Sequence, residues 1–342
     1  MRRHIICIAG LCASACMLDA EGTVGTSTNT QAGIQLQGIQ LQGIQLQGIQ
    51  LQGMTMQGFT FASATLDGRP LVNLHVDKGE LVAEQKKKVV RGTDLVGAHL
   101  FAQVRNLNAN PPTSATVEYQ ITGIEAELAT YDPTQTGSTF LYTLTQNLGG
   151  TWLPACLADS DGRRAAIPLA AIWDERGDRS ASSTMFTLGC TTGVIAKCYR
   201  WGYRPWITGY GDVVALHWTC TRVARADYCG NGQPHTQDGT LINIWDNQPP
   251  PGPIQAHAAT PLGMLFEAGW STGGAVCLSH ARWLLNGGLL AQACPNKLIA
   301  PGLPLETVCD IESQVLGQGV SPRLFNESNL NLNLQPLGTR AR

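Results

Sequence analysis

The first half of the chain alternates apolar and polar positions in short runs. Examples are FTFASATLDG, DLVGAHLFAQVRN and TFLYTLTQN, which are rich in β-branched and aromatic residues. Turn signals such as Asp67-Gly68 and Lys78-Gly79 separate these runs. Because the side chains of a strand point alternately to its two faces, this pattern predicts antiparallel strands. We therefore expect a β-rich domain over residues 59–150.

After Gly149-Gly150 the pattern mixes helical and strand signals. GVIAKCYRWGY and DVVALHWTCTRVARADYC carry apolar residues at spacings of three and four, which predicts short helices with one buried face. MFTLGC and LINIWD predict strands, and LFEAGWSTGGAVCLSHARWLL predicts a hairpin that turns at 271–274. The predicted fold class is a β-rich α+β protein. Its N-terminal antiparallel β domain is followed by a disulfide-rich mixed α+β domain over residues 151–312.

The N-terminus predicts export. Two arginines, the apolar run IICIAGLC and a small-residue segment predict a signal peptide over residues 1–15. The sequence Ala-Ser-Ala-Cys resembles a bacterial lipobox, in which Cys16 is lipidated, although Ala stands where Leu is usual. The alternative is an ordinary signal peptide cut nearby. No other stretch reaches the ~20 apolar residues of a membrane-spanning helix, so we predict membrane contact through a lipid anchor only.

Two further segments lack a globular pattern. From Gly33 the chain repeats GIQLQ four times and continues with GMTMQ and GFTFA. This Gly- and Gln-rich repeat predicts a tether over residues 16–58, with a pentapeptide-repeat solenoid as the alternative. The Asn-rich tail over residues 313–342 is predicted to be disordered.

The charge balance restricts the partners. The formal net charge is −2, and 14% of the residues are charged. Nucleic-acid-binding proteins usually present a basic patch, so we predict no nucleic-acid partner. Export and a lipid anchor predict a cell-envelope location, as an outer-membrane lipoprotein, or an extracellular one.

The cysteines predict a disulfide framework. Three of the eleven lie within the first 16 residues, which leaves eight. An even number in an exported chain predicts four disulfides, whose connectivity the sequence leaves open. A crossed pattern joins Cys190 to Cys220 and Cys198 to Cys229. A local pattern is the alternative, with the pairs Cys190–Cys198, Cys220–Cys229, Cys294–Cys309 and Cys156–Cys277.

Two other roles compete with a structural one. His217, Cys220, Cys229 and His235 offer four ligands of the kind that zinc prefers, but their spacing matches no common zinc motif. A hydrolase would use a Cys or Ser nucleophile with a histidine base and Asp227 as its orienting group. The candidate bases are His217, His235 and His280. We predict no metal, no cofactor and a role other than catalysis, with Asp227 paired to an arginine.

An aromatic cluster follows the first predicted helix. Trp201, Tyr203, Arg204 and Trp206 are the candidate binding residues. If they are exposed around a groove, they form a platform for a glycan or protein ligand. If they are buried, they belong to the core, with Arg204 stacked on an aromatic ring.

Four segments in order carry a family resemblance: FTLGCTTGVIAKCYRWGYRPW, ALHWTCTRVARADYCGNG, HTQDGTLINIWD and FEAGWSTGGAVCLSHARW. The sequence resembles the ADYC domain, a family of exported bacterial proteins named for Ala226-Asp227-Tyr228-Cys229. The resemblance covers roughly Leu153 to Cys309. It implies an exported, cysteine-bonded module, often behind a lipoprotein leader, and it implies no catalytic residues.

These observations together predict an exported binding or structural module of the cell envelope. The ligand, a glycan or a protein, is not specified by the sequence. The alternative is an extracellular hydrolase that uses a His/Asp or His/Cys pair. A third possibility is a purely structural envelope protein whose repeats self-associate. The residues predicted to form disulfides are Cys156, Cys190, Cys198, Cys220, Cys229, Cys277, Cys294 and Cys309.

Overall fold

The computed structural model describes most of the chain after residue 59. The described residues are 60–106, 113–127, 139–174, 176–182, 185–236, 240–248, 252–257, 259–260, 262–282, 312 and 322–329. The predicted leader, the lipidation site Cys16, the repeats, Cys294 and Cys309 lie outside them.

Antiparallel strands dominate the described structure, as the alternation predicts. The strands are β1 (Thr60–Leu66), β2 (Arg69–Asp77), β3 (Glu80–Gln85), β4 (Lys88–Arg91), β5 (His99–Asn106), β6 (Thr113–Ala126), β7 (Phe140–Leu148), β8 (Thr151–Pro154), β9 (Ala165–Leu169), β10 (Ala171–Trp173), β11 (Arg179–Ala181), β12 (Thr187–Cys190), β13 (Ile242–Asp246), β14 (Met264–Ser271), β15 (Gly274–Leu278) and β16 (Leu324–Asn329). A short 3₁₀ helix, Gly92–Leu95, follows β4.

The largest sheet contains ten strands and curls around one apolar core. Its order is β12-β9-β7-β6-β5-β1-β2-β3-β4, with β8 attached to β7. Tight turns at Asp67-Gly68 and Lys78-Gly79 join the first strands, and all four residues have positive φ angles. The amide N–H of Leu81 on β3 donates to the Tyr142 hydroxyl on β7 at 2.9 Å, although these strands are not neighbours in the sheet. The two halves of the sheet, one containing β3 and the other β7, therefore face each other.

The structure does not confirm a domain boundary at Gly149-Gly150. The glycines form the turn of a hairpin, after which β8 pairs with β7. Strand β9 pairs with β7 as well, and β12 extends the same sheet beyond β9. Cys156 and Cys190 are bonded to each other and belong to the core of this sheet. The first core thus continues about 40 residues past the predicted boundary.

Two helices lie between the sheets, at the positions that the periodicity predicts. They are α1 (Val194–Arg200) and α2 (Val213–Arg225). Asp212 caps α2 by accepting a hydrogen bond from the amide N–H of Ala215 at 3.0 Å. The Cys198–Cys220 disulfide joins the two helices. Neither helix in the described part of the chain has the length and apolarity that a membrane crossing requires.

Helix α2 packs against a four-stranded sheet of order β13-β16-β14-β15. Strands β10 and β11 form a separate hairpin. The predicted hairpin at 271–274 is confirmed, because β14 and β15 pair across Ser271 and Gly274. The prediction of disorder over 313–342 is wrong for 324–329, because β16 pairs with both β13 and β14. Its residues Leu324 and Phe325 are fully buried, which provides the apolar contacts that order this segment.

Candidate functional site: the turn at 226–229 and an aromatic pocket

The tetrapeptide 226–229 forms the turn that ends α2. Ala226 adopts a left-handed conformation with φ 51°, and its amide N–H donates to the carbonyl of Val223 at 2.9 Å. The amide N–H of Asp227 donates to the carbonyl of Arg222 at 2.9 Å. This pair of bonds is a Schellman motif, which satisfies carbonyls at a helix end. The Ala position is therefore a helix cap.

Asp227 organises the residues on both sides of it. Its carboxylate is fully buried and accepts a bond from the Arg222 guanidinium at 2.5 Å. It also accepts bonds from the amide N–H groups of Asn231 at 3.1 Å and Gly232 at 3.0 Å. The predicted Asp–Arg pair is present. Arg222 in turn donates to Asp178 at 2.6 Å, so the pair connects α2 to the β10–β11 hairpin.

Tyr228 connects the turn to the four-stranded sheet. Its hydroxyl donates to Glu267 at 2.9 Å and accepts a bond from the amide N–H of Arg282 at 2.8 Å. The guanidinium of Arg282 binds Glu267 through two nitrogens, each at 3.0 Å. Burial opposes ionisation of Glu267, but Arg282 holds its pKa below the usual value. The tyrosine ring stacks on Trp270, with ring centroids 5.2 Å apart.

The cysteines form bonds in a pattern that neither predicted set contains. Cys156 pairs with Cys190, and Cys198 pairs with Cys220. The predicted partners of these four cysteines were wrong, because helix packing and sheet pairing decide which sulfur atoms meet. The remaining described cysteines, Cys229 and Cys277, are also disulfide-bonded.

The disulfides also argue against the zinc alternative. Cys220 and Cys229 are both in disulfides, so neither offers a thiolate to a metal. Within the described residues, no group of three or more His, Cys, Asp or Glu side chains is placed to hold a metal ion.

Two of the candidate bases, His217 and His235, are hydrogen-bonded to backbone carbonyls. The Nε2 of His217 lies 3.0 Å from the carbonyl oxygen of Ile195. Burial lowers the pKa of His217 to about 3, so the ring is neutral and Nε2 donates this bond. The Nδ1 of His235 lies 3.1 Å from the carbonyl oxygen of Ala226 and not against the Asp227 carboxylate.

A serine and the third histidine also have structural partners. The sequence Gly269–Gly273 fits the G-x-S-x-G pattern. Ser271 lies at the β14–β15 hairpin turn and accepts a bond from its own turn at 3.2 Å, whereas a catalytic elbow joins a strand to a helix. His280 lies 3.2 Å from the hydroxyl of Ser328, which also hydrogen-bonds Glu267. Among the described residues, the three candidate bases form neither of the pairs that the hydrolase hypothesis needs.

The predicted binding cluster divides into buried and partly exposed members. Tyr203 and Arg204 are 0% exposed, so for these two residues the core alternative holds and the ligand platform does not. The chain turns inward after α1, and the Tyr203 hydroxyl donates to Asp246 at 3.2 Å. Trp201 and Trp206 are partly buried and pack against the core around α2. Of these four residues, Trp206 also lines a pocket.

The pocket has a volume of about 210 Å³ and lies between the β2–β3 turn, the β10–β11 hairpin and α1. Its aromatic walls are Trp173, Tyr199 and Trp206. The rings of Tyr199 and Trp206 meet edge to face, with centroids 4.6 Å apart. Gly79 closes one side, where an added Cβ would overlap Trp206 and lie 2.6 Å from the Tyr199 hydroxyl. A glycine is therefore required for the pocket to have this shape.

Polar groups of the pocket walls are left without partners. The indole nitrogen of Trp173 and the hydroxyl of Tyr199 are buried and have no hydrogen-bond partner among the described residues. Burial raises the pKa of Tyr199 well above 10, so its hydroxyl keeps its proton. Arg179 lies over the Trp173 ring at 5.8 Å, and its Nε is also unpartnered there. Most buried polar groups in folded proteins are hydrogen-bonded, so this concentration marks the pocket as a binding site candidate.

Sequence reasoning missed Gly79, Trp173 and Arg179. They lie on three segments that only the tertiary fold brings to Trp206. One signal was present, since Lys78-Gly79 was identified as a turn and a turn glycine permits close backbone approach.

The fold and site define a β-rich module that is fixed by disulfides and buried arginine–carboxylate pairs. The chain belongs to the ADYC domain family, whose model matches residues 92–284. The match begins in the 3₁₀ helix and so includes β5 to β7, well before the sequence resemblance at Leu153. Neither the curated proteins nor the solved structures contain a significant match.

Proposed function

We propose that this protein is an exported binding module of the cell envelope, with the aromatic pocket as its binding site. The observation that carries the proposal is the pair of unpartnered polar groups on the buried side chains of Trp173 and Tyr199 in the pocket walls. A ligand that reaches both groups when the wall side chains shift removes the cost of leaving them unsatisfied. The ligand is a glycan or a protein segment.

The size of the pocket indicates how much of the ligand it holds. Pockets for drug-sized molecules have volumes of roughly 300–1,000 Å³, and this pocket has about 210 Å³. It therefore accommodates one ring or one side chain of a larger ligand. Trp206 is the aromatic contact nearest to solvent, because Trp173 and Tyr199 are almost fully buried.

The binding proposal is tested by a screen of immobilised glycans and peptides with the full chain. For any ligand found, Trp206→Ala is expected to weaken binding at least about 30-fold, the effect of losing a central aromatic contact. Trp152→Ala is the matched control, because Trp152 is 38% exposed on β8 and is not part of the pocket. Equal losses in the two variants, or a screen without any ligand, contradict the proposal.

The proposed attachment to the envelope rests on the N-terminal sequence. In this proposal Cys16 carries the lipid, and residues 16–58 form the tether. Disulfides at Cys156, Cys190, Cys198 and Cys220 are consistent with an oxidising compartment outside the cytoplasm.

Lipidation predicts that a labelled fatty acid is incorporated in a bacterial host, and that the wild-type protein fractionates with membranes. Cys16→Ser is expected to abolish the label and to release the protein into the soluble fraction, since the amide- or thioether-linked chains are then absent. Cys12→Ser is the control and should behave as wild type. Labelling that persists in Cys16→Ser excludes this anchor.

A further inference from the structure

The walls of the pocket carry positive charge. Among the described residues, Lys78 and Arg179 line it and no Asp or Glu does. We infer that the pocket binds a carboxylate group that is attached to an apolar body of about one ring. This inference rests on the proposed binding function and specifies the chemistry of the ligand.

Arg179 differs from Arg222 and Arg282, two fully buried arginines of the fold. Arg222 is paired with Asp227, and Arg282 is paired with Glu267. Arg179 is partly buried on β11. Asp212 attracts it electrostatically, but among the described residues no carboxylate lies within ion-pair distance of it. A cation that is withdrawn from water without a counter-ion is unfavourable, and a bound anion removes that cost.

The unpartnered groups are mainly donors. The indole N–H of Trp173 and the Nε–H of Arg179 can only donate, and the Tyr199 hydroxyl can donate as well. An ionised carboxylate only accepts, so it matches the donor character of each group, although a ligand reaches these buried atoms only when the wall side chains shift. A neutral sugar brings hydroxyl protons that need acceptors, and among the described side chains that line the pocket only Tyr199 carries an acceptor oxygen.

The remaining wall explains why the anion carries an apolar body. Val76, Leu169 and Pro205 line the pocket together with the aromatic rings. Such a surface favours a ring or short alkyl group beside the carboxylate. It also favours a single charge over a phosphate dianion, because removing two charges from water costs more than removing one.

Calorimetric titration of the full chain with matched acids and amides tests the inference. The probes are phenylacetate and phenylacetamide, a tripeptide ending in Phe with a free or an amidated C-terminus, glucuronate and glucose, and phenyl phosphate. We expect at least one acid to bind about tenfold or more tightly than its uncharged counterpart, the effect of one charge-assisted hydrogen bond. A tighter peptide acid identifies a protein C-terminus as the source, and a tighter free acid or glucuronate identifies a small acid or an acidic glycan.

The variant Arg179→Gln is expected to reduce the preference for the acid to within about twofold. Arg176→Gln is the matched control, because Arg176 lies on the same hairpin with its side chain 71% exposed, outside the pocket. Near-UV circular dichroism checks that both variants fold. If Arg179→Gln does not fold, the binding of acid and amide by the wild-type protein decides the inference.

Four results overturn the inference: equal binding of acid and amide, tighter binding of phenyl phosphate, a folded Arg179→Gln that keeps the preference, or no binding of any of the acids. If the neutral probes bind as tightly as the acids, the proposed binding function still holds. Failure of every probe here and of the glycan and peptide screen overturns the inference and the proposed function together.

Discussion

Replacing Asp227 by Asn is expected to lower the free energy of unfolding by about 3–5 kcal/mol, the effect of breaking a buried ion pair from one side. The carboxylate and the Arg222 side chain are both 0% exposed, and Arg225 also lies within 3.9 Å. Asn keeps the shape of the side chain and one acceptor oxygen. It removes the negative charge that compensates the buried guanidinium groups.

Urea unfolding of the oxidised protein measures this effect. Asp94→Asn is the matched control, because Asp94 is exposed in the 3₁₀ helix, and its free energy of unfolding should change by no more than about 0.5 kcal/mol. A loss below about 1 kcal/mol in Asp227→Asn would show that Asp178 and backbone carbonyls compensate Arg222 without Asp227.

Removing the bond between α1 and α2 is expected to have the second-largest effect. The double variant Cys198→Ala, Cys220→Ala opens a loop whose ends are 22 residues apart. A loop of this length corresponds to a loss of about 3 kcal/mol, because the unfolded chain gains conformational freedom. Both sulfur atoms are fully buried, so the change also removes packing between the helices.

Unfolding in urea without reductant measures this loss. The double variant Cys156→Ala, Cys190→Ala provides a comparison, because its loop of 34 residues predicts a similar or slightly larger loss of stability. A stability within about 1 kcal/mol of wild type in the first variant would mean that helix packing alone holds α1 to α2.

Local elements were predictable because they depend on neighbouring residues. The alternation in β1–β7, the helical spacing in 194–200 and 213–225 and the hairpin at 271–274 all appear in the structure. The disulfide pairing was not predictable, because it depends on how α1 lies against α2. Strand β16 was missed as well, because its Asn-rich flanks resemble a disordered tail and its partners β13 and β14 are far away in the sequence.

The candidate site was likewise predictable only in part. Trp206 was correctly placed in an aromatic cluster, but exposure cannot be read from residue type, and Tyr203 and Arg204 turned out to be buried. Trp173 and Arg179 face each other across a two-stranded hairpin, and nothing in the sequence connects that hairpin to Gly79 or Trp206. The pocket is a product of tertiary contacts.

The position of β16 has a consequence for biosynthesis. Because this strand lies between β13 and β14, the four-stranded sheet cannot be completed until residues 324–329 are available to pair. The ten-stranded sheet needs nothing after Cys190 and can form earlier. Until β16 arrives, β13 and β14 expose unpaired edges, and such edges promote aggregation of nascent chains. The arrival of this last strand therefore ends the period in which these edges can pair with other chains.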